Sequence, residues 1–432
     1  MTASSGRPSL GLGIVGLGGA AVNMLPAFRR SPFLRIAGVA DLDREICERF
    51  TADHPGSRAY GDVERLCADP AVDLVYIGTP TRLHSEHARA ALECGKHVLI
   101  EKPMAVTLED AEVMIATAER HGVLLGVNVK HSFDPRIEAL RALAVGGELG
   151  ALRMIQNWRY VDWLYQPRTA EELTPGWGNG LLWRQGPHQF DIIRTLGGGL
   201  LRSVRGMTGV WDPARRVPGA FSVYFEFADG LFGTASCCAY DHFDSRALVR
   251  GFDPAVPFGD PARHARARRD LQRHDAAWET AQAAAERYGG GRKTKGKQDA
   301  EDAAGEPKAG GKTAAAAKPA APGWLLAGPL IASFERADVR LSPRGLIVDG
   351  DDRQWEIPLE GDGRDRRLAS FYEAIVDGTP LPADGRWGKA TQEMLVAVQQ
   401  SSEQRKEIML AHQVATVDGA ARQRPVETVG KR

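Results

Sequence analysis

The feature that most constrains the fold is a regular alternation of short apolar segments and helical stretches between residues 10 and 130. Apolar runs such as LGLGIVG, LRIAGVAD and DLVYIGTP are separated by helical stretches. Strands that alternate with helices of about 10–15 residues form βαβ units, in which the strands are parallel. The strands are apolar throughout, as expected when helices cover both faces of a sheet. The pattern therefore predicts an α/β domain with a parallel sheet at residues 9–130.

A different pattern begins after residue 130. Residues 134–145 have the periodicity of an amphipathic helix, and several later segments alternate apolar and polar side chains between short turns. Such segments predict an open, mainly antiparallel sheet with one solvated face. We expect an α+β domain at residues 131–410 and a flexible tail at residues 411–432.

The second domain is interrupted at residues 258–323. Residues 258–288 are charged and rich in Ala and Arg, with no clear apolar stripe, and residues 289–323 are of low complexity. The latter lack large apolar side chains and cannot offset the entropy of ordering, so we expect them to be disordered. The interruption is interpreted as an insertion in a surface loop.

Composition limits the partners and the compartment. The chain has 55 basic and 55 acidic residues, a balance that gives no reason to expect nucleic acid or an anionic membrane as partner. We find no run of about 18 apolar residues to span a bilayer, and no apolar signal-peptide core. Five irregularly spaced cysteines favour reduced thiols in the cytoplasm and no structural zinc.

The turn after the first apolar strand has the spacing G-x-G-x-x-G/A of a dinucleotide-binding loop. In such a loop two glycines permit a tight turn and close approach of a pyrophosphate, and the last position must be small. The phosphates then meet a helix N-terminus, whose N–H groups favour negative charge. The predicted cofactor residues of this loop are Gly16, Gly18, Gly19, Ala20 and Ala21.

An acidic residue at the end of the second strand completes this motif. Asp41, in GVAD, is placed to accept hydrogen bonds from the adenine ribose. Its carboxylate would repel a 2′-phosphate, and the next residue, Leu42, is not a base. We therefore predict NAD rather than NADP as the cofactor, with Arg44 as the nearest base in this part of the sequence.

Further polar residues follow the later strands of the first domain. His84 and His87 have helical spacing, but we find no third ligand, so no metal is expected. Taken singly, each of these residues could be an ordinary surface side chain. As a group we assign to the cofactor site Thr79, Pro80, His84, Glu101 and Lys102.

Together with the segment GPHQFD, these motifs resemble the glucose–fructose oxidoreductase/inositol dehydrogenase (Gfo/Idh/MocA) family. The resemblance covers about residues 9–250 and 326–400, and its most specific mark is the EKP triplet. It implies an N-terminal Rossmann domain, a second domain whose open sheet often forms a homo-oligomer interface, and a cis Lys102–Pro103 bond. It also implies that Lys102 and His188 face the nicotinamide.

One position departs from the family. The family usually has Asp four residues before the catalytic His, where this chain has Arg184. A guanidinium is suited to a carboxylate rather than to a neutral polyol. Arg159 and Arg168 lie nearby, and we assign all three, with Asp191, to the substrate site. Alternatively, they are loop and core residues, as are the surrounding tryptophans, Trp158, Trp163, Trp177 and Trp183.

The arginines favour a cyclic, unsaturated, acidic small molecule as substrate. Three segments, among them SFERADVRLSPRGLIVDG, resemble a family branch that oxidises an aromatic dicarboxylate's cis-dihydrodiol to the catechol and carries a similar insertion. His188 is then the expected base, and Lys102 the group that steadies the hydroxyl. The alternatives are a sugar, inositol or sugar-acid dehydrogenase, and a non-catalytic NAD-binding sensor whose insertion is an interaction arm.

Overall fold

The computed structural model describes residues 8–176, 178–240, 242–245, 263–289, 328–359 and 364–420. Trp177, the end of the predicted tail, and nearly all of the segment for which disorder is predicted lie outside the described residues.

The first sheet is built from strands joined by helices. The strands are β1 (Leu10–Val15), β2 (Leu34–Ala40), β3 (Arg58–Tyr60), β4 (Leu74–Ile77), β5 (His97–Ile100) and β6 (Leu125–Val127). The helices are α1 (Gly19–Arg30), α2 (Arg44–Asp53), α3 (Val63–Ala68), α4 (His84–Glu93) and α5 (Leu108–His121).

These strands lie in the order β3-β2-β1-β4-β5-β6, and every neighbouring pair is parallel. The order reverses between β1 and β4, which is where a doubly wound sheet binds a dinucleotide. The predicted parallel sheet is confirmed. The sequence pattern does not predict β3 or α3, because segments of three and six residues are too short to show a period.

The second sheet follows helix α6 (Pro135–Gly146) and packs against helix α7 (Leu181–Leu196). Its strands are β7 (Leu152–Tyr160), β8 (Leu201–Gly209), β9 (Ala220–Phe227), β10 (Phe232–Cys238), β11 (Leu330–Phe334), β12 (Ala337–Ser342), β13 (Gly345–Gly350), β14 (Gln354–Pro358) and β15 (Ile408–Met409).

Its order is β14-β13-β12-β11-β7-β10-β9-β8-β15. Strands β7 and β10 are parallel, and the other neighbouring pairs are antiparallel. The predicted mainly antiparallel sheet is confirmed. The short strand β15 and strand β11 add to the strands that the alternation of side chains indicates.

Two helices late in the chain return to the first sheet. These are α10 (Arg364–Asp377) and α11 (Gly385–Gln404). Phe371 of α10 belongs to the same buried cluster as Leu12 and Phe28, while α11 contacts α5 and β6. The core of the first domain is thus completed by chain that the sequence pattern assigns to the second.

The first residues of the predicted tail form hydrogen bonds with the rest of the fold. The backbone N–H groups of Ala411 and His412 donate to the carboxylate of Glu393, and that of Thr416 donates to the carbonyl of Gly198. Residues 411–420 end in the short helix α12 (Val417–Ala420), and the flexibility predicted for residues 411–432 stays a prediction.

Part of the predicted insertion is helical. Its charged half contains α8 (Arg263–Arg273) and α9 (Ala276–Ala284), and the chain then runs on to Gly289 against the first domain. Among all the helices of the described residues, none combines the length and the apolar character needed to cross a bilayer.

Candidate active site

The turn between β1 and α1 has the shape of a phosphate cradle. Gly16 has φ +87°, and a Cβ there would lie 2.9 Å from Cγ2 of Thr79, so the turn requires glycine. Gly18 opens α1, and among the described residues no side chain caps it, whereas Asp43 and Thr107 cap α2 and α5. The N–H groups at this helix start are therefore left for a ligand.

The space above this turn fits the cofactor. A Cβ added to Gly18 would meet no described atom within 4 Å. Ala21 is buried where α1 packs on the sheet, as a small third residue must be. The turn therefore offers an open, positively polarised surface of the size and chemistry that a pyrophosphate needs.

Asp41 lies beside the same turn. Its carboxylate accepts hydrogen bonds from the backbone N–H groups of Leu17, at 2.8 Å, and Asp43, at 3.0 Å. It also contacts Arg287, whose Nη2 is 2.5 Å from Oδ1. The predicted ribose-binding residue is thus in position, and an arginine that sequence reasoning missed accompanies it.

Two residues assigned to the cofactor instead hold the loops of the site together. His84 is buried, with its ring nitrogens 3.0 Å from the carbonyl oxygen of Pro103 and 2.9 Å from that of Thr79. The carboxylate of Glu101 accepts hydrogen bonds from the hydroxyl of Tyr76, at 2.8 Å, and from the amide of Asn128. Thr79 lies against the glycine turn, and Pro80 is exposed beside it.

Lys102 meets the helix that carries His188. Its ammonium nitrogen donates a hydrogen bond of 3.1 Å to the carbonyl oxygen of Arg184, one turn before His188 on α7. Pro103 and Pro187, their chain neighbours, line one small cavity, and the Lys102–Pro103 bond is cis. The two groups that the sequence places far apart therefore come together at the carboxyl edge of the first sheet.

Burial changes the proton affinity of both groups. Desolvation, with a smaller contribution from Arg184, lowers the pKa of Lys102 to about 7, although the neighbouring Glu101 raises it. Desolvation and the charge of Lys102 hold the pKa of His188 well below its usual value. His188 is 8% exposed, and its Nδ1 has no hydrogen-bond partner among the described residues. Neutral forms of both side chains are therefore accessible near pH 7.

Two further cationic or imidazole side chains follow strand β6. The ring of His131 lies 4.7 Å from that of His188 and is nearly perpendicular to it. Lys130 is close enough to lower the pKa of Lys102 and of both histidines. Their position after a strand of the parallel sheet is the sequence signal that could have identified them.

The predicted substrate arginines differ in what they contact. The guanidinium of Arg184 is 53% exposed and lies 4.0 Å from the carboxylate of Glu172. Arg159 donates to the amide oxygen of Gln185 at 2.8 Å, and its charge lowers the pKa of His188. Both therefore border the pair formed by Lys102 and His188.

The buried side chains of Arg168 and Asp191 form hydrogen bonds with other residues of the fold. The guanidinium of Arg168 is buried and donates to the Trp163 carbonyl, to Gln166 and to Glu172, so the assignment of Arg168 to substrate binding is not supported. The carboxylate of Asp191 is buried and accepts a 2.8 Å hydrogen bond from the indole of Trp387. It fastens α7 to α11 and so positions the His188 helix, whereas the sequence analysis assigns Asp191 to the substrate site.

The tryptophans near these arginines differ in their burial. Trp163 and Trp183 are buried core residues, and the Trp183 indole donates a 2.9 Å hydrogen bond to Gln399. Trp158 is half-buried on β7. The alternative that these side chains pack the domain therefore holds for Trp163 and Trp183.

Comparison with known proteins identifies the two halves of this site. A family model described as the Gfo/Idh/MocA oxidoreductase family, NAD-binding Rossmann fold, matches residues 10–129. The model of the Gfo/Idh/MocA C-terminal domain matches residues 137–253. The first domain is thus an NAD-binding domain, and the lysine and the histidine come from different halves of the matched region.

Individual relatives are dehydrogenases. The chain is 42% identical over 238 residues to 1-carboxy-3-chloro-3,4-dihydroxycyclohexa-1,5-diene dehydrogenase of Comamonas testosteroni; the match spans 55% of this chain and 60% of that relative. It is 35% identical over 236 residues to trans-1,2-dihydrobenzene-1,2-diol dehydrogenase of Bos taurus, spanning 52% and 67%. The crystal structure of a presumptive dehydrogenase from Bordetella bronchiseptica RB50 superposes with a TM-score of 0.79 at 30% identity, covering 93% of this chain and 100% of that one.

The open space above Gly18 predicts the effect of a single methyl group. Gly18→Ala is compatible with the backbone, whose φ is −76°, but its Cβ would occupy the approach of the pyrophosphate. We expect the Kd for NADH, measured by fluorescence titration, to rise by roughly tenfold or more, a loss of about 1.4 kcal/mol. The melting temperature should stay unchanged.

Gly146→Ala is the matched control, because a Cβ there also meets no described atom within 4 Å but lies far from the turn. It should leave the Kd unchanged. Wild-type affinity in the Gly18 variant would show that the pyrophosphate does not approach this turn.

Proposed function

Because the chain belongs to the Gfo/Idh/MocA oxidoreductase family, we propose that it is an NAD-dependent dehydrogenase of a carboxylated cyclic dihydrodiol. The specific reaction proposed is oxidation of phthalate cis-4,5-dihydrodiol to 4,5-dihydroxyphthalate. The observation that carries this proposal is the concentration of positive charge around Lys102 and His188.

That charge comes from several elements of the fold. Arg184 on α7, Arg159 on β7 and Lys130 after β6 all lower the pKa of Lys102, which places them within electrostatic range of its ammonium group. Glu101 and Glu172 are the acidic neighbours described above, and Glu101 is engaged by Tyr76 and Asn128. A pocket with this excess of cations favours an anionic substrate over a neutral polyol.

The relatives are consistent with such a substrate. The Comamonas protein is named for a carboxylated cyclohexadiene diol and the bovine protein for an uncarboxylated dihydrobenzene diol. The proposed substrate shares the diene diol with both and the carboxylate with the first. Arg184 supplies the planar donors that bind a carboxylate through two parallel hydrogen bonds.

The protein's part in the reaction is to orient the diol and to take one proton. NAD bound at the glycine turn would accept the hydride from the carbinol carbon. The hydroxyl of that carbon would lie between the Lys102 amine and the His188 imidazole, and one of them removes its proton. The resulting hydroxy-dienone tautomerises to the aromatic catechol, which makes the oxidation strongly favourable.

The pKa shifts of Lys102 and His188 change which of the two side chains is expected to accept the proton. A general base is most effective when its pKa lies near the working pH. Lys102, with a pKa of about 7, meets this condition, whereas burial makes His188 a weaker base. We therefore propose Lys102 as the proton acceptor and His188 as the partner that orients the hydroxyl, which reverses the roles that the sequence predicts.

The proposed substrate is tested with a panel of compounds and with a substitution that removes the charge of Arg184. Reduction of NAD should be fast with phthalate cis-4,5-dihydrodiol and slow with myo-inositol and glucose. In Arg184→Gln the KM for the dicarboxylate should rise by about tenfold or more, because a charge-assisted pair is lost. The KM for uncarboxylated benzene cis-dihydrodiol should stay the same.

Arg82→Gln provides the control, since Arg82 is a comparably exposed arginine that pairs with Glu171, beside the partner of Arg184. It should leave both KM values unchanged. An unchanged KM for the dicarboxylate in Arg184→Gln would contradict the carboxylate contact, and NADH binding without turnover of any substrate would favour the sensor alternative.

The base is tested by pH dependence. Lys102 accepts a proton only when neutral, so kcat/KM should be low below pH 7 and should rise to a plateau as pH passes the lysine's pKa of about 7. Lys102→Met should lower kcat/KM by about a hundredfold or more and remove this rise. His188→Gln should lower the plateau but keep the rise. If the rise persists in the lysine variant and vanishes in the histidine variant, His188 is the base.

A further inference from the structure

The end of the insertion lies on the dinucleotide site. Helix α9 is anchored to the second domain by Glu279, whose carboxylate forms a buried ion pair of 2.7 Å with Arg215. Four residues beyond the helix, the backbone N–H of Tyr288 donates to the carbonyl oxygen of Leu17 in the glycine turn, at 3.1 Å. We call residues 276–289 the arm. It connects the second domain to the turn that receives the cofactor.

The arm is held there by several independent contacts. The ring of Tyr288 packs at 5.0 Å from that of Phe50, and its hydroxyl donates to the carboxylate of Asp53 at 2.7 Å. The guanidinium of Arg49 donates to the carbonyl of Gly289 at 3.0 Å. Because apolar, polar and backbone groups all contribute, the residues between these contacts have a defined position on helix α2.

The contacts of the arm place Arg287 at the ribose site. Its guanidinium lies 2.5 Å from Oδ1 of Asp41 and 3.8 Å from the carboxylate of Asp43. The Asp41 side chain is left only 7% exposed, while that of Arg287 is 36% exposed. Guanidinium has five N–H donors, so Arg287 retains donors that face solvent after it has paired with Asp41.

The ion pair between Arg287 and Asp41 weakens the repulsion of a 2′-phosphate on which the prediction of NAD over NADP is based. Asp41 discriminates against a 2′-phosphate through an unpaired negative charge, and here that charge is paired. The base nearest in sequence does not contribute, because Arg44 pairs with Glu48 and is 90% exposed. An arginine beside the ribose acid is the group that accommodates a 2′-phosphate in dinucleotide sites.

We propose that Arg287 determines cofactor specificity, by pairing with Asp41 and by offering its remaining donors to the 2′-phosphate of NADP. The chain then binds NADPH with an affinity within about tenfold of that for NADH. This inference rests on the dinucleotide site of the proposed function but not on the substrate assigned there.

The test is the ratio of two dissociation constants. Fluorescence titrations of the full chain with NADH and with NADPH, at one fixed ionic strength, give Kd(NADPH)/Kd(NADH). In Arg287→Ala this ratio should rise by about tenfold or more, because charge-assisted hydrogen bonds to the phosphate are lost and Asp41 is left unpaired. Arg287→Lys should give an intermediate ratio, since lysine keeps the charge but not the planar fork.

Arg44→Ala is the control and should leave the ratio at its wild-type value. Equal changes in both dissociation constants in Arg287→Ala, with an unchanged ratio, would show that the arm only shapes the site and would overturn the specificity role. Failure of the wild-type chain to bind either nucleotide would overturn both this inference and the proposed function, whereas slow turnover of the dihydrodiol with normal binding would leave the inference standing.

Discussion

The candidate site depends on one hydrogen bond between two parts of the fold, from the Lys102 side chain to the carbonyl oxygen of Arg184. It joins the carboxyl edge of the parallel sheet to helix α7, which belongs to the second domain. His188 follows on the same helix, and Asp191 ties that helix to α11 through Trp387. Because α11 also contacts α5 and β6, the imidazole is fixed relative to the glycine turn by packing on both sides.

Burial of like charges is a second constraint on the site, and it follows from the contact between Lys102 and helix α7. Bringing Lys102 against α7 places it near Arg184, Arg159 and Lys130, and partly removes it from water. Both effects disfavour the charged amine, so its pKa falls toward neutrality. The same cations favour a carboxylated substrate. One arrangement of side chains therefore accounts for both the proposed base and the proposed substrate class.

The position of a residue in the fold can be predicted from the sequence where local chemistry decides the structure. The glycine turn, Asp41 and the Lys102–Pro103 pair each lie at a strand end whose position follows from the apolar pattern. The sequence alone does not reveal which partners a side chain's donors find, nor which contacts form between residues distant in sequence. Arg168 has the chemistry of a substrate ligand, but its donors are used within its own loop.

The contact of Arg287 with the ribose site is one that forms between residues distant in sequence. Arg287 is 246 residues from Asp41 in sequence, in a charged segment without an apolar stripe, so its contact with the ribose site could not be predicted. Phe371, which completes the first core, shows the same limit, because the order of residues along the chain does not reveal that α10 returns to β1 and α1.

We propose that Lys102 and His188 act together beside the reactive carbon of a dinucleotide held at the first glycine turn. A crystal structure of the chain with NADH and 4,5-dihydroxyphthalate tests it most directly. The Lys102 amine and the His188 imidazole should both lie within about 3 Å of the same catechol oxygen. A catechol bound elsewhere, or a nicotinamide ring remote from these two side chains, would contradict it.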